Sequence, residues 1–303
     1  MSMVDVHCHL NFEAFEKDYD AVIKRAFDAG VTTIINVGTK LDTSQKAVDL
    51  ASKYDNLYAI VGIHPHHADK NDVILGTQSV SVEDSRIDSG QVEDAPRGTR
   101  MTIDTWLEEL EKIALSSKKV LSIGEIGLDN YRYQSNGITD PKAQKELFLA
   151  QIELAHKLKL PLQIHNRHAG KEILDILEAN KSLLLPDNPG MFHCFAGSQD
   201  ILKRVLDLGF CVGFDGNITY KGLAPGEDTS LSELAAYAPL ERIVIETDSP
   251  YLTPIPYRGG RNEPQYAILV GRKIAEIKGI TQEEVDTHTT QNVKRIFQLD
   301  TKR

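Results

Sequence analysis

The sequence predicts an α/β protein built as a single (β/α)8 TIM barrel. Short β-branched or apolar runs alternate with longer segments of helical periodicity along the whole chain, a pattern typical of parallel strands joined by crossover helices. The 303 residues exceed the roughly 250 that a barrel typically needs, and they leave room for an insertion. No Gly-x-Gly-x-x-Gly turn follows the first strand, which disfavours the alternative, a doubly wound sheet.

The predicted strands are short and rich in Val, Ile and Leu. They cover Val4–Val6, Thr32–Val37, Tyr58–Ile63, Val120–Gly124, Leu160–Ile164, Gly190–Cys194, Phe210–Phe214 and Arg242–Glu246. Apolar residues with helical spacing predict helices over Phe15–Ala29, Trp106–Ala114, Phe148–Leu158 and Ile201–Leu208. We expect helices to start near Asp42, Asp140 and Ser198, and to end at Gly30 and Gly209.

Two segments depart from this alternation. Residues 70–102 are polar, acidic and poor in aromatic side chains, so we expect a flexible loop insertion after the third strand within one domain spanning residues 1–303. This insertion could repel DNA, gate the site or bind a partner, or it is a passive loop in solvent, and we favour the passive interpretation. After Gly279 the pattern predicts a helix pair, Thr281–His288 and Asn292–Leu299, at the bottom or flank of the barrel.

Composition narrows the class of protein. No run approaches the roughly 18 apolar residues of a membrane span, and the amino terminus lacks the pattern of a secretory signal. Three cysteines cannot all pair, which favours a reducing compartment, the cytoplasm or nucleus. The net charge of −10 disfavours a tight binder of duplex DNA, but it does not exclude a nuclease whose bound cations meet the phosphates.

Ligand-type side chains fall at the carboxyl ends of predicted strands. These residues are His7, His9, Glu125, His165, His193 and Asp248. In a barrel these strand ends form one rim, where active sites are built. Histidines together with carboxylates suit Zn²⁺, Mn²⁺ or a similar ion, and six ligands exceed the needs of one tetrahedral ion. A carboxylate such as Glu125 can bridge two ions, so we expect two divalent ions, Mg²⁺, Mn²⁺ or Zn²⁺, suited to phosphate-ester hydrolysis.

Seven segments of the sequence carry motifs, in chain order Asp5–Leu10, Gly62–His66, Gly124–Asp129, Gln163–Arg167, His193–Gly197, Glu246–Leu252 and Arg258–Pro264. Together they resemble the TatD-type deoxyribonucleases, a family of metal-dependent hydrolase barrels. The resemblance covers nearly the whole chain. It implies a two-metal 3′–5′ exonuclease that acts mainly on single-stranded DNA, with RNA as a further substrate.

The resemblance also implies individual roles. His7, His9, Glu125 and Asp248 would hold one ion, and Glu125, His165 and His193 the other, with Asp248 as the proton acceptor. His64 and Arg167 are candidates for phosphate contact, and Arg258 and Arg261 for contact with the substrate strand. Asp129 and Glu246 either orient ligating histidines or form structural pairs. His64 and Arg167 keep the alternatives of a strand cap and an ion pair with a rim carboxylate.

Two rival functions remain open from sequence. Amidohydrolases that act on cyclic amides or nucleobases use the same rim, but many bridge their metals with a carboxylated lysine, and here Glu125 occupies that place. A non-catalytic scaffold would have lost ligands, whereas all six are present. Cys8 and Cys194 are expected to be packed thiols that face away from the ligands.

Overall fold

The computed structural model describes residues 3–68, 102–133 and 139–299. Eight strands are present in this part of the chain: β1 (Met3–Cys8), β2 (Val31–Val37), β3 (Leu57–Val61), β4 (Val120–Asp129), β5 (Leu162–Arg167), β6 (Gly190–Phe192), β7 (Cys211–Phe214) and β8 (Ile243–Ile245). They form one sheet in chain order, and each strand pairs in parallel with the next.

The sheet closes on itself between its first and last strands. A parallel bridge joins Cys8 to Ser249, and the Asp248 amide donates a hydrogen bond to the His7 carbonyl at 2.9 Å. Thr247 reinforces this seam, because its hydroxyl donates to the carboxylate of Asp5 at 2.7 Å. The predicted (β/α)8 barrel is therefore confirmed.

Helices follow the strands around the outside of the barrel. They are α1 (Tyr19–Ala29), α2 (Leu41–Lys53), α3 (Ile103–Leu115), α4 (Pro141–Leu158), α5 (Gly170–Ala179), α6 (Gln199–Asp207), α7 (Leu231–Tyr237), α8 (Ala267–Lys278) and α9 (Gln282–Phe297). The predicted starts at Asp140 and Ser198 are caps, since their side chains accept the backbone N–H groups of Lys142 and Ile201. Gly30 ends α1 with φ of +103°, a conformation that favours glycine.

Three predicted elements differ most from the structure. The first helix starts at Tyr19 rather than Phe15, because a separate 3-10 turn, Glu13–Phe15, precedes it. β4 runs on to Asp129 rather than ending at Gly124. The predicted pair of C-terminal helices is one continuous helix, α9, because nothing between its halves breaks the helix and Thr289 bonds back to the Val285 carbonyl.

Two layers of apolar packing hold the barrel together. The larger cluster fills the space between the strands and the outer helices. The smaller one fills the barrel interior near the amino ends of the strands, where Val293, Ile296 and Phe297 of α9 pack beneath β1 and β8. The bottom of the barrel is thus sealed by apolar contacts, and the polar side chains gather at the opposite, carboxyl-end rim.

The predicted insertion, residues 70–102, lies outside the described residues except for Thr102, whose hydroxyl caps α3. None of the helices in the described part of the chain is both long and apolar enough to cross a membrane.

Candidate metal centre

β1 brings two histidines to the rim, because alternate side chains of a strand share one face. His7 and His9 are both buried, and their Nε2 atoms lie 3.1 Å apart. Cys8 between them faces the outer layer, where its Sγ lies 3.7 Å from the Ile35 carbonyl. The two imidazoles therefore converge on one point, while the intervening thiol packs away from it as expected.

Asp248 completes a first group of ligand atoms. Its Oδ1 lies 3.4 Å from His9 Nε2 and 3.6 Å from His7 Nε2. Because the backbone of Asp248 is bonded to that of His7, the β1–β8 seam fixes this carboxylate beside both rings. The three ligand atoms lie within 4.8 Å of one another, a spacing that a single ion can satisfy.

Glu125 of β4 joins this first group to a second one. Its Oε2 lies 3.6 Å from His7 Nε2, whereas its Oε1 lies 2.6 Å from His165 Nδ1 and 3.0 Å from His193 Nε2. Glu125, His165 and His193 also place their ligand atoms within 4.8 Å of one another. The two oxygens of one carboxylate thus face two different sets of histidines.

Neighbouring acceptors fix the orientation of the ligand rings. His9 Nδ1 lies 2.9 Å from the Val37 carbonyl, and His165 Nε2 lies 3.3 Å from Asp129 Oδ2. His193 Nδ1 lies 3.7 Å from Glu246 Oε2, and Glu246 is itself held by the backbone N–H of Cys194. The acceptors of His9 and His165 can each hold a proton on one ring nitrogen, so the other nitrogen can serve as a ligand atom once it is deprotonated, whereas the Glu246 carboxylate lies beside His193 at a distance too long for a hydrogen bond.

The charges of the cluster are balanced by histidines alone. Burial raises the pKa of Glu125, but the charges of His193 and His64 and the hydrogen bonds from His165 and His193 outweigh it and hold this pKa well below its usual value. Burial lowers the pKa values of His165 and His193, yet their carboxylate partners raise both above the usual value. Within the described residues, no Lys or Arg lies within 4 Å of the Glu125 or Asp248 carboxylates.

The donor set fits two divalent ions. Four imidazole nitrogens and two carboxylates suit Zn²⁺ or Mn²⁺, and a carboxylate with one oxygen toward each set has the geometry of a bridging ligand. Positive charge is also what the cluster lacks when its histidines are neutral, because Glu125 and Asp248 are then uncompensated in a buried site. Bound ions would replace the protons of His165 and His193.

Two predicted substrate contacts lie beside this centre. His64 is buried, its Nδ1 accepts the backbone N–H of His66, and its Nε2 lies 3.5 Å from Glu125 Oε1. Arg167 is exposed, donates to the Tyr133 hydroxyl at 2.9 Å and lies over the Tyr131 ring at 4.1 Å. Within the described residues, no carboxylate pairs with Arg167, so its charge remains available at the rim.

The other two predicted arginines lie farther out on the loop after β8. Arg261 donates to both oxygens of Asp18 at 2.8 and 2.7 Å, and to Glu263 at 3.0 Å. Arg261 is therefore held by this ion-pair network, and its contact with the substrate strand stays a prediction. Arg258 is exposed and lies over the Tyr220 ring at 4.0 Å.

Sequence reasoning missed three side chains of the site. His66 lies with its Nε2 2.8 Å from Asp129 Oδ2, and Tyr133 donates to the same oxygen at 2.8 Å. The second His-x-His pair in the sequence was the one available indication for His66. Cys194 was expected to face the barrel wall, but its positive φ of 45° turns the chain there and its side chain lines the cavity.

A cavity of about 750 Å³ opens above the two groups of ligands. The rings of Phe12 and Tyr251 line one part of it, and Tyr131, Tyr133 and Arg167 line another. Phe12 stacks on His9 with ring centroids 4.3 Å apart. The cavity therefore combines a polar, metal-competent floor with aromatic walls, an arrangement that admits a flat organic group attached to an anion.

An eight-stranded parallel barrel with histidines and shared carboxylates at its carboxyl-end rim defines a metal-dependent hydrolase. The sequence profile described as "TatD related DNase" matches residues 4–298. The chain therefore belongs to the TatD-related DNase family.

Individual relatives agree with this assignment. The chain is 34% identical over 299 residues to the "Uncharacterized metal-dependent hydrolase YabD" of Bacillus subtilis, covering 98% of this chain and all of the relative. It is 31% identical to the "3'-5' ssDNA/RNA exonuclease TatD" of Erwinia billingiae, covering 98% and 99% of the two chains. The crystal structure of YjjV, a TatD homologue from Escherichia coli, superposes with a TM-score of 0.79 at 26% identity, covering 98% of each chain.

Proposed function

We propose that this chain is a two-metal phosphodiesterase, a 3′–5′ exonuclease that acts mainly on single-stranded DNA and also accepts RNA. The observation that carries the proposal is the placement of Glu125, whose two carboxylate oxygens face separate sets of histidines. The name of the Erwinia relative supports the substrate class. A bridged pair of ions is suited to an ester that has an attacking and a leaving oxygen on one phosphorus.

The ligand residues divide between the two ions. His7, His9 and Asp248 would hold one ion, His165 and His193 the other, and Glu125 would bridge them. Two such ions, Mg²⁺, Mn²⁺ or Zn²⁺, supply charge that lowers the pKa of water and stabilises both oxygens of an in-line displacement. Asp129 and Glu246 hold the rings of His165 and His193 in position for this task.

Asp248 takes the proton of the attacking water in this proposal. Its side chain is 15% exposed, against 5% for Glu125, so it is the more open of the two ligand carboxylates toward the cavity. It has one oxygen beside His7 and His9, and its backbone is fixed by the seam between β1 and β8. A carboxylate held this rigidly at the cavity floor meets the geometric requirement for a general base.

His64 and Arg167 bind the phosphate. The Nδ1 atom of His64 accepts a backbone N–H, so its proton lies on Nε2, which faces Glu125 and the cavity. Arg167 is held in place by Tyr133 and Tyr131, and its planar group can donate two hydrogen bonds to phosphate oxygens. These donors and the two ions explain how a chain with net charge −10 can take a polyanion.

We place the protein in a reducing compartment inside the cell. All three of its cysteines are free in the structure. The relatives with 34% and 31% identity are bacterial, and this favours the cytoplasm over the nucleus that the sequence also allowed.

A ladder assay tests the proposed function. A 5′-labelled single-stranded oligonucleotide is incubated with Mg²⁺, Mn²⁺ and Zn²⁺ in turn, and we expect products that shorten from the 3′ end by one nucleotide at a time. Glu125→Ala should abolish the ladder because it removes a ligand from both ions. The matched control is Glu153→Ala, which removes an exposed carboxylate of α4 and should cleave at the wild-type rate.

Three outcomes would contradict parts of the proposal. A full ladder from Glu125→Ala would exclude the bridged two-metal mechanism. Hydrolysis of dihydropyrimidines or hydantoins with oligonucleotides left intact would favour the amidohydrolase alternative. Metal-replete protein that binds oligonucleotides but hydrolyses neither substrate class would favour the non-catalytic scaffold. Parallel assays on duplex DNA and RNA rank the substrates.

A further inference from the structure

Exposed apolar side chains are concentrated beside the candidate metal centre. The large hydrophobic residues exposed by 45% or more in the described part of the chain are Leu115, Leu223, Tyr237, Tyr251, Ile255 and Tyr257. Four of these six lie in only two loops, those that follow β7 and β8. Scattered exposed apolar residues are ordinary on a protein surface, but a group confined to the catalytic rim indicates a binding surface.

The two loops form one surface because they are bonded to each other. The Tyr220 hydroxyl donates to the Thr253 carbonyl at 2.8 Å, and the Ile255 amide donates to the Thr219 hydroxyl at 2.9 Å. Within the second loop, the Tyr257 amide donates to the Pro254 carbonyl at 2.8 Å. We call this surface the rim ridge and define it by Tyr220, Leu223, Tyr251, Ile255, Tyr257 and Arg258.

The rim ridge is continuous with the catalytic cavity. Tyr251 is 54% exposed and also lines the cavity, and its backbone N–H donates to the Asp248 carbonyl at 2.8 Å. Leu252 lines the cavity as well. A strand that enters the cavity from this side therefore passes over Tyr251 before its end reaches the centre.

Arg258 gives the rim ridge its chemical character. Its guanidinium lies over the Tyr220 ring at 4.0 Å, and in the described residues no carboxylate lies within 4 Å of it. Arg261, three residues later, is by contrast fully engaged with Asp18 and Glu263. Arg258 is thus an exposed and uncompensated cation in a chain of net charge −10, which favours an anionic occupant.

A stacking contact holds one aromatic ring of the rim ridge, that of Tyr257, in place. Tyr257 stacks on Tyr266 with ring centroids 4.8 Å apart and an interplanar angle of 18°, yet 52% of its surface is exposed. A ring that is fixed in this way loses little conformational entropy when a second flat group stacks on it. Aromatic rings together with arginine are the means by which proteins bind single strands without reading their sequence.

We propose that the rim ridge binds the nucleotides of a single DNA strand that precede the scissile phosphodiester, with bases stacked on Tyr251 and Tyr257 and a phosphate on Arg258. The proposal rests on the proposed nuclease function and extends it to a second subsite. The occupant is a single strand because bases stacked inside a duplex present no free face to these rings. The rim ridge would therefore set the preference for single-stranded over duplex substrate.

The length dependence of cleavage tests the proposal. For the Mn²⁺-loaded enzyme, kcat/KM is measured with a thymidine dinucleotide, which fills the cavity alone, and with a 12-nucleotide single strand, which also reaches the rim ridge. The quantity compared between variants is kcat/KM for the 12-nucleotide strand divided by kcat/KM for the dinucleotide. In Tyr257→Ala and Arg258→Ala we expect this ratio to fall about tenfold, mainly through a higher KM for the long strand.

Matched variants show whether a change in the ratio comes from the loss of ring stacking or from a change in the fold. Tyr257→Phe keeps the ring and should keep the ratio, and Tyr237→Ala removes an equally exposed tyrosine of α7 and should not change it. Arg258→Ala should also make binding of the long strand less dependent on salt, since one phosphate contact is lost. Equal ratios in wild type, Tyr257→Ala and Arg258→Ala would overturn the proposal.

A binding measurement keeps this inference separate from the proposed function. Fluorescence anisotropy with an uncleavable phosphorothioate 12-mer reports the rim ridge without any turnover. If the wild-type enzyme cleaves no oligonucleotide, the proposed function fails, whereas weaker binding by Tyr257→Ala and Arg258→Ala would still support the rim ridge. If cleavage occurs and binding is the same in all variants, the rim ridge proposal fails and the nuclease function stands.

Discussion

The buried carboxylate of Asp129 can be used to test whether hydrogen bonds orient the His165 ring for metal binding. Its Oδ2 lies 2.8 Å from His66 Nε2, 2.8 Å from the Tyr133 hydroxyl and 3.3 Å from His165 Nε2. Its Oδ1 accepts the backbone N–H of Tyr131 at 2.9 Å. Burial raises the pKa of Asp129, but the hydrogen bonds from His165 and His66 outweigh it and hold this pKa well below its usual value. Asp129 is therefore an ionised acceptor for all of these donors.

Asp129→Asn replaces one accepting oxygen with a donating NH₂ group at constant volume. If the NH₂ group takes the place of Oδ1, it faces the backbone N–H of Tyr131, which is also a donor. If it takes the place of Oδ2, it faces the donors of His66, Tyr133 and His165. With NH₂ toward His165, the ring is driven to the tautomer whose proton lies on Nδ1, beside Glu125 Oε1 at 2.6 Å. That proton occupies the position of the ligand lone pair and must leave before an ion can bind.

We expect Asp129→Asn to lower the affinity for the ion held by His165 and His193 by about 10- to 100-fold. This is the usual effect of losing the hydrogen-bond acceptor of a ligating histidine. This corresponds to about 1.4–2.7 kcal/mol of binding free energy. Calorimetric titration of the metal-free protein with Mn²⁺ measures the loss directly, and the oligonucleotide ladder at limiting Mn²⁺ reports its consequence. Tyr133→Phe is the matched control, because it removes one donor but keeps the carboxylate; we expect a change of less than about threefold. Wild-type affinity in Asp129→Asn would refute the orienting role.

Three further predictions concern charge. Mn²⁺ binding should release protons near pH 7, because carboxylate partners raise the pKa values of His165 and His193 despite their burial. Calorimetry in buffers of different ionisation enthalpy counts the released protons. No release would contradict the assignment of protons to these two histidines. Arg167→Ala should raise KM for oligonucleotides about tenfold with a smaller change in kcat, whereas an equal KM would remove Arg167 from the phosphate contacts. Glu263→Gln should cost about 2 kcal/mol of stability near pH 7, because two arginine partners outweigh burial and lower the pKa of Glu263. This stability is present above the unfolded pKa of about 4.3 and is lost as pH falls through the lower folded pKa, so thermal melts of the two proteins should converge in acid.

Local sequence patterns predicted the barrel and the floor of its site. Strands of period two and helices of period 3.6 are local signals, and the strand-end position of Glu125 or His165 follows from them. Once the strands close into a barrel, geometry alone brings such side chains to one rim. For this reason ligands that are far apart in sequence could be proposed together before any distance was known.

The parts of the site that the sequence did not predict depend on contacts between residues far apart in the chain, which no local pattern encodes. Arg261 pairs with Asp18, 243 residues away, and no local pattern indicated this long-range pair. His66 reaches Asp129 from a different strand end, through a 3-10 turn that sequence spacing does not position. The predicted helix pair is one helix, α9, and Thr289 and Thr290, which lie between the two predicted helices, are buried in its middle.

The seam between β1 and β8 has a consequence for how the molecule holds together. Asp5 and Thr247 meet there although 242 residues separate them, and the first group of ligands, His7, His9 and Asp248, lies on both sides of the same junction. An ion bound by these residues would cross-link β1, near the beginning of the chain, to the segment that follows β8. Such a cross-link closes a very long loop, and in theory long loops gain the most stability from closure. The metal would thus secure the barrel as a closed ring as well as serve its chemistry.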